Sequence, residues 1–113
     1  MAVQVSLNTN GNPPVTVQPQ LHEVNNGNQT VKWERASNQT FTFASLTGLP
    51  TPPFGTPSVS DSEITVTDNN QNNGPEVYYP YTIVVNYNGQ QYSSAPSRPN
   101  PTAQSTGPTI GNR

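Results

Sequence analysis

Cysteine is absent from the 113 residues, so no disulfide staples the chain and no thiolate is available as nucleophile or metal ligand. Charge is scarce as well. Four Lys and Arg stand against six Asp and Glu, for a net charge of −2, and charged residues make up only 9%. Phosphate binding needs clustered cations, and Lys32 with Arg35 is the only neighbouring pair, so a nucleic-acid interface is excluded. The same scarcity leaves neither a basic membrane-surface helix nor an acidic tail. No apolar run exceeds that of Ile83 to Val85, far short of a membrane-spanning helix. Met1 to Leu7 has no basic start and no apolar stretch of signal length, so Met1 reads as a native start and the cytoplasm is the default expectation.

Hydrophobic residues amount to 29%, below an ordinary globular chain. The polarity comes from uncharged Asn, Gln, Ser and Thr rather than from the charge that usually marks a disordered chain. What apolar content there is alternates. Val3, Val5 and Leu7 do so, as do Val15 and Val17, Val31 and Trp33, Phe41 and Phe43, and Ile64 and Val66. The longest case is Tyr79, Tyr81, Ile83, Val85 and Tyr87. Period two means strands with one buried and one wet face, and no window carries a helical period.

Turn residues separate these runs, and Asn88-Gly89 is the strongest such signal, a two-residue type I′ hairpin turn. The pattern predicts an all-β, antiparallel two-sheet sandwich of seven to eight strands, immunoglobulin-like or cupredoxin-like, with Trp33 in its core. Thr47 to Pro57 carries four prolines and reads as a crossover between sheets, with Leu49 and Phe54 dipping into the core. The β domain is expected over 1–93. A Pro/Ser/Thr-rich tail follows over 94–113 and ends in a short strand at Thr109-Ile110, pairing at a sheet edge.

Several pieces together resemble the DP-EP family of small bacterial β-sandwich proteins. They are Val31-Lys32-Trp33, Phe41-Thr42-Phe43, the run Ser62 to Asp68, the run Tyr79 to Val85, and the closing Gly107-Pro108-Thr109-Ile110-Gly111-Asn112-Arg113. The resemblance runs from about Val15 to Arg113. It implies a closing Asp-Pro-x-Ile-x-Asn pattern and self-cleavage at the Asp–Pro bond. Here Gly107 stands where that Asp would be, and Ala95 precedes Pro96 in the other alignment. Neither residue has a carboxylate to attack its own carbonyl, so the Gly107–Pro108 junction is a degenerate one.

The remaining chemistry is thin. His22 is the only histidine, which rules out a two-His copper or zinc set. A triad would have to pair it with a Ser and Asp61 or Asp68, yet no nucleophile motif surrounds any Ser. Calcium would want several oxygens converging on one loop, and Asp68-Asn69-Asn70 offers one charged side chain. A Lys–Asn crosslink would need Lys32 buried beside a carboxylate, whereas strand alternation puts it on the wet face with Glu34. Of the hairpin tyrosines, Tyr79, Tyr81 and Tyr87 are expected in the core and Tyr78 near the edge. Asn28-Gln29-Thr30 and Asn38-Gln39-Thr40 fit glycosylation sequons, as chance allows in so Asn-rich a chain.

The expectation is a structural or protein-interaction module without catalysis, metal or cofactor. Its contact residues would be Thr109, Ile110 and Tyr78, and its partner another protein or a second copy paired through an edge strand. A self-cleaving domain and a carbohydrate-binding module on the tyrosine hairpin are the alternatives.

Overall fold

The computed structural model describes residues 3–11, 14–51, 53–94 and 108–113. Among these there is no helix, hence none long and apolar enough to cross a membrane. The first five strands are β1 (Val3–Leu7), β2 (Val15–Gln18), β3 (Leu21–Val24), β4 (Gly27–Arg35) and β5 (Thr42–Thr47). They are followed by β6 (Ser58–Val59), β7 (Glu63–Asn70), β8 (Val77–Pro80), β9 (Thr82–Tyr87), β10 (Gln90–Ser93) and β11 (Thr109–Asn112). The all-β class is as the alternation predicts. The described residues form eleven strands where seven or eight were expected, and these make three sheets.

One sheet has five strands in the order β2-β1-β4-β7-β6; the others have three each, β10-β9-β5 and β3-β11-β8. Most pairs are antiparallel, but β1 runs parallel to β4 and β3 parallel to β11. The first exception arises because the chain leaves the large sheet after β2 to build β3 elsewhere, so β4 re-enters in the direction of β1.

Register follows side-chain alternation. Val31 faces Val66 and Trp33 faces Ile64 across β4 and β7, and Val3 sits beside Trp33 on β1. All five are buried, and Trp33 is fully so. Its ring meets Tyr81 edge-on at 5.2 Å and donates from Nε1 to the Tyr81 hydroxyl at 2.9 Å. That bond settles the one polar atom that a buried indole carries. Val85, Ile83, Phe43, Leu46 and Ile110 complete the core from the smaller sheets.

Three irregularities interrupt the simple alternation. In β5 a bulge at Ala44 sets Phe43 and Leu46, three apart, both toward the core. The run Tyr79 to Tyr87 is two strands in two sheets. Pro80 has no N–H to give a ladder, and at Tyr81 the N–H turns instead to the Pro108 carbonyl at 3.0 Å. In the crossover, Phe54 is buried and Leu49 packs against the core, as expected of that segment. Asn88 and Gly89 both have positive φ, 55° and 79°, and join β9 to β10 with Gln90 opposite Tyr87, the geometry of a type I′ turn.

Candidate functional site

The strand with the most unusual setting is β11. Thr109 to Asn112 lies between β3 and β8, so it is the centre of its sheet and not an edge as expected. Its neighbours on both sides are short, and each loses its partner if β11 leaves. Ile110 is fully buried beside His22 and Tyr79, so within this chain its side chain serves the core. Thr109 donates its N–H to the Gln20 carbonyl at 2.9 Å. Pro108 is buried, while Gly107 and Ala95, the residues before the two candidate prolines, lie outside the described residues.

Side chains from the end of β7 clamp the same strand. Alternation in β7 continues beyond its apolar part, so Asp68 and Asn70 face inward after Ile64 and Val66. Asn70 Nδ2 donates to the carbonyls of Val24 at 3.0 Å and Arg113 at 3.1 Å. Asn72 Nδ2 donates to the Asn112 carbonyl at 2.8 Å. Asn112 Nδ2 donates to Asp68 Oδ1 at 3.1 Å. These bonds tie the large sheet to the closing strand through amides.

Asp68 Oδ2 and Asn112 Oδ1 are both buried without a partner. Both are acceptors while Asp68 is ionised. Ionisation leaves a charged, buried oxygen without a donor, so the charged form is the costly one at this site. Burial also pushes the Asp68 carboxyl above its ordinary range, against a smaller opposing effect of the Asn112 bond. Of the oxygens weighed for calcium, those of Asp68 and Asn70 turn inward, Asp68 Oδ1 to Asn112 and Asn70 Oδ1 to the Asn72 N–H at 3.0 Å, while Asn69 is exposed.

The outer face of this small sheet is different. Arg113 Nη2 meets Glu23 at 2.6 Å and its Nε meets Glu76 at 3.5 Å. The Arg113 bond holds the Glu23 carboxyl below its ordinary range. Tyr78 is 57% exposed and Leu21 42%, the apolar part of that face. Hydrogen bonding to Glu76 raises the Tyr78 phenol.

Other sequence candidates are scattered. His22 is half-buried on β3, and burial holds its imidazole below the ordinary value. Asp61 lies in an exposed turn between β6 and β7. Lys32 Nζ lies on the wet face of β4, 3.0 Å from Glu63 and 3.9 Å from Glu34, and among the described residues no Asn side chain bonds to it. Among the described residues no three His, Asp or Glu side chains gather as a metal site requires. Of the hairpin tyrosines, Tyr81 is buried and Tyr79 packs on the core against Phe54, but Tyr87 is 38% exposed, contrary to expectation.

Among the described residues, two surface grooves stand out. One, of about 400 Å³, lies beside the edge strand β3, between His22 and the start of β4 at Gln29 and Thr30. The other, of about 360 Å³, lies where the β1–β2 and β4–β5 turns meet the end of β9. The clamp on β11 was half legible. Asn112 stood in the closing motif, but Asp68 and Asn70 are reached only by carrying the alternation of Ile64 and Val66 onto polar residues. No family model, no curated protein and no solved structure matches the chain.

Proposed function

We propose that this chain is a non-catalytic structural or protein-interaction module that assembles by strand insertion at the slot between β3 and β8. The observation that carries the reading is the place of β11: a short segment, central to its sheet, that supplies Ile110 to the core. Ser94 and Pro108, the residues flanking 95–107, dock on neighbouring points. Ser94 donates its N–H to the Ile83 carbonyl at 2.9 Å, and the Pro108 carbonyl accepts from Tyr81. Two residues of strand span only about 7 Å, whereas the chain between, with Pro96, Pro99 and Pro101, reaches roughly 45 Å when extended. That length is far more than closure within one copy needs, and it allows the same strand to reach the slot of a second copy.

The architecture in this reading is a sandwich of immunoglobulin-like or cupredoxin-like type. The two three-stranded sheets, joined through Tyr81, act as one layer against the five-stranded sheet. Membership of the DP-EP family goes with it, with the family's self-cleavage lost because Gly107 and Ala95 carry no carboxylate.

Refolding the full chain from denaturant over a range of concentrations tests the proposal. Static light scattering after size exclusion should show a dimer whose share grows with refolding concentration and which persists on dilution, because strand exchange must unfold the slot. A monomer at every concentration would rule out exchange between copies.

A further inference from the structure

The slot between β3 and β8 makes two kinds of contact with β11, and only one of them depends on sequence. Bonds to the Asn112 carbonyl from Asn72 Nδ2 at 2.8 Å, and to the Arg113 carbonyl from Asn70 Nδ2 at 3.1 Å, would hold any backbone placed there. Side chains at positions 110 to 113 meet something more particular. Pleating sends Ile110 and Asn112 inward and turns Gly111 to the outer face. Parallel pairing to β3 and antiparallel pairing to β8 set the direction, and a slip of one residue would turn Ile110 out of the core.

Asn112 is 2% exposed, and its Nδ2 is the donor that Asp68 Oδ1 accepts from at 3.1 Å. A leucine of similar shape would leave that buried oxygen without a donor, and an aspartate would set a second carboxyl against it. Gly111 is needed for space rather than for conformation, since the glycines with positive φ among the described residues are Gly27, Gly48 and Gly89. A Cβ on Gly111 would lie 3.0 Å from Glu76 Oε2, 3.1 Å from Glu76 Cδ and 3.4 Å from Leu21 Cδ1. The Glu76 carboxylate can swing aside only by giving up Arg113 Nε, 3.5 Å from its Oε1, and the Tyr78 hydroxyl that bonds to it. Arg113 also reaches Glu23 Oε1 on the other flanking strand, with Nη2 at 2.6 Å. So exposed a pair adds little energy, but two carboxylates facing one position set the sign of the charge it takes.

A strand that enters this slot therefore has to satisfy four demands at once: an aliphatic side chain for the core, no side chain over Glu76, an amide donor for Asp68, and a cation between Glu23 and Glu76. Backbone pairing alone would accept many extended segments, and specificity comes from such alternate side-chain positions. We infer that the slot selects its strand by sequence, taking Ile, Gly, Asn and Arg at four successive positions, and so confines the strand insertion proposed above, on which this rests, to second copies of this chain.

Full chains carrying Gly111→Ala, Glu76→Ala, both changes, or Asn112→Leu test this by thermal melts and by co-refolding. In an ordinary strand Gly→Ala stabilises. Here Gly111→Ala should lower the melting temperature by about 4–8 °C, yet cost little when Glu76→Ala is already present. Asn112→Leu should lower it by a similar amount with no relief from Glu76→Ala. Isotope-labelled Gly111→Ala chain is then co-refolded at high concentration with an equal amount of unlabelled Glu76→Ala chain, and the dimers are weighed by native mass spectrometry. Heterodimers should exceed Gly111→Ala homodimers at least about tenfold, where random pairing gives about twofold. Only exchange puts the Ala strand in the opened slot and the Gly strand in the closed one. A Gly111→Ala chain at least as stable as wild type, a loss that Glu76→Ala does not relieve, or dimers that pair at random would each overturn the selection. Relief within one chain, with wild type and variants monomeric at every concentration, would overturn strand insertion instead and leave the selection acting on the chain's own β11.

Discussion

At the scale of single residues, the Trp33–Tyr81 pair carries a pH signature. Burial pushes the Tyr81 phenol up to about 12 from its ordinary 10.0, and the Trp33 bond only partly opposes this. Between those values the folded chain keeps a proton that the unfolded chain gives up, so stability falls as pH rises through the window, by about 3 kcal/mol in all. Tyr81→Phe removes that slope. It also strands the Trp33 N–H, at a cost of about 1–3 kcal/mol at neutral pH. Denaturant titrations at pH 7 and pH 11 should therefore show the variant less stable at pH 7 and the gap narrowing at pH 11. An unchanged gap would place the phenol in contact with solvent.

Asp68 titrates with the same sign at the other end of the scale. Its folded-state pKa lies above the ordinary 3.8, so stability is full below that value and declines as pH rises through the folded pKa. His22 acts in the opposite sense. Its pKa is lowered from 6.5, so stability grows as pH rises through the lowered value toward 6.5. Asp68→Asn separates the two. An amide oxygen can accept from Asn112 Nδ2 as Asp68 Oδ1 does, and it carries no charge at any pH. The variant should be more stable than wild type at pH 7 and about equal to it near pH 3, as measured by urea midpoints. A variant less stable at both pH values would show that the charged carboxylate is the favoured form.

At the scale of elements, Ile110 decides whether β11 is structural. Ile110→Ala leaves a cavity beside His22 and Tyr79 and should cost about 2–5 kcal/mol, read as a fall in denaturant midpoint. A change under about 1 kcal/mol would mean that the strand packs loosely. The sequence made most elements readable where apolar residues alternate without interruption, as in Val3–Leu7, Val31–Trp33 and Ile64–Val66. The turn chemistry of Asn88-Gly89 was equally plain. Strands whose alternation runs on without apolar residues carry no such mark. Asp68 and Asn70 sit on the inner face of β7 with nothing hydrophobic to mark them. The pair Ser58–Val59 is too short to show a period, and β3 presents only Val24 to the core. Tyr79 to Tyr87 misled in another way. Its period is continuous, yet Pro80 breaks the ladder and the chain changes sheet. The exposure of Tyr87 was hidden for a related reason, since alternation gives the face of a residue but not where the opposing layer ends.

At the scale of the whole molecule, the account rests on the interdependence of body and closing strand. Without β11, the edges of β3 and β8 have no partner, and the core loses Ile110. The bonds from Asn70 to the Arg113 carbonyl, from Asn72 to the Asn112 carbonyl and from Asn112 to Asp68 are lost at the same time. The same features are the ones that the proposed strand insertion would use. The most direct measurement pairs the chain truncated after Gly107 with a labelled peptide of residues 108–113. The truncated chain should melt well below the full chain. The peptide should bind and restore part of the melting temperature, and the Ile110→Asp peptide should do neither. A truncated chain that melts with the full one and ignores the peptide would contradict this interdependence.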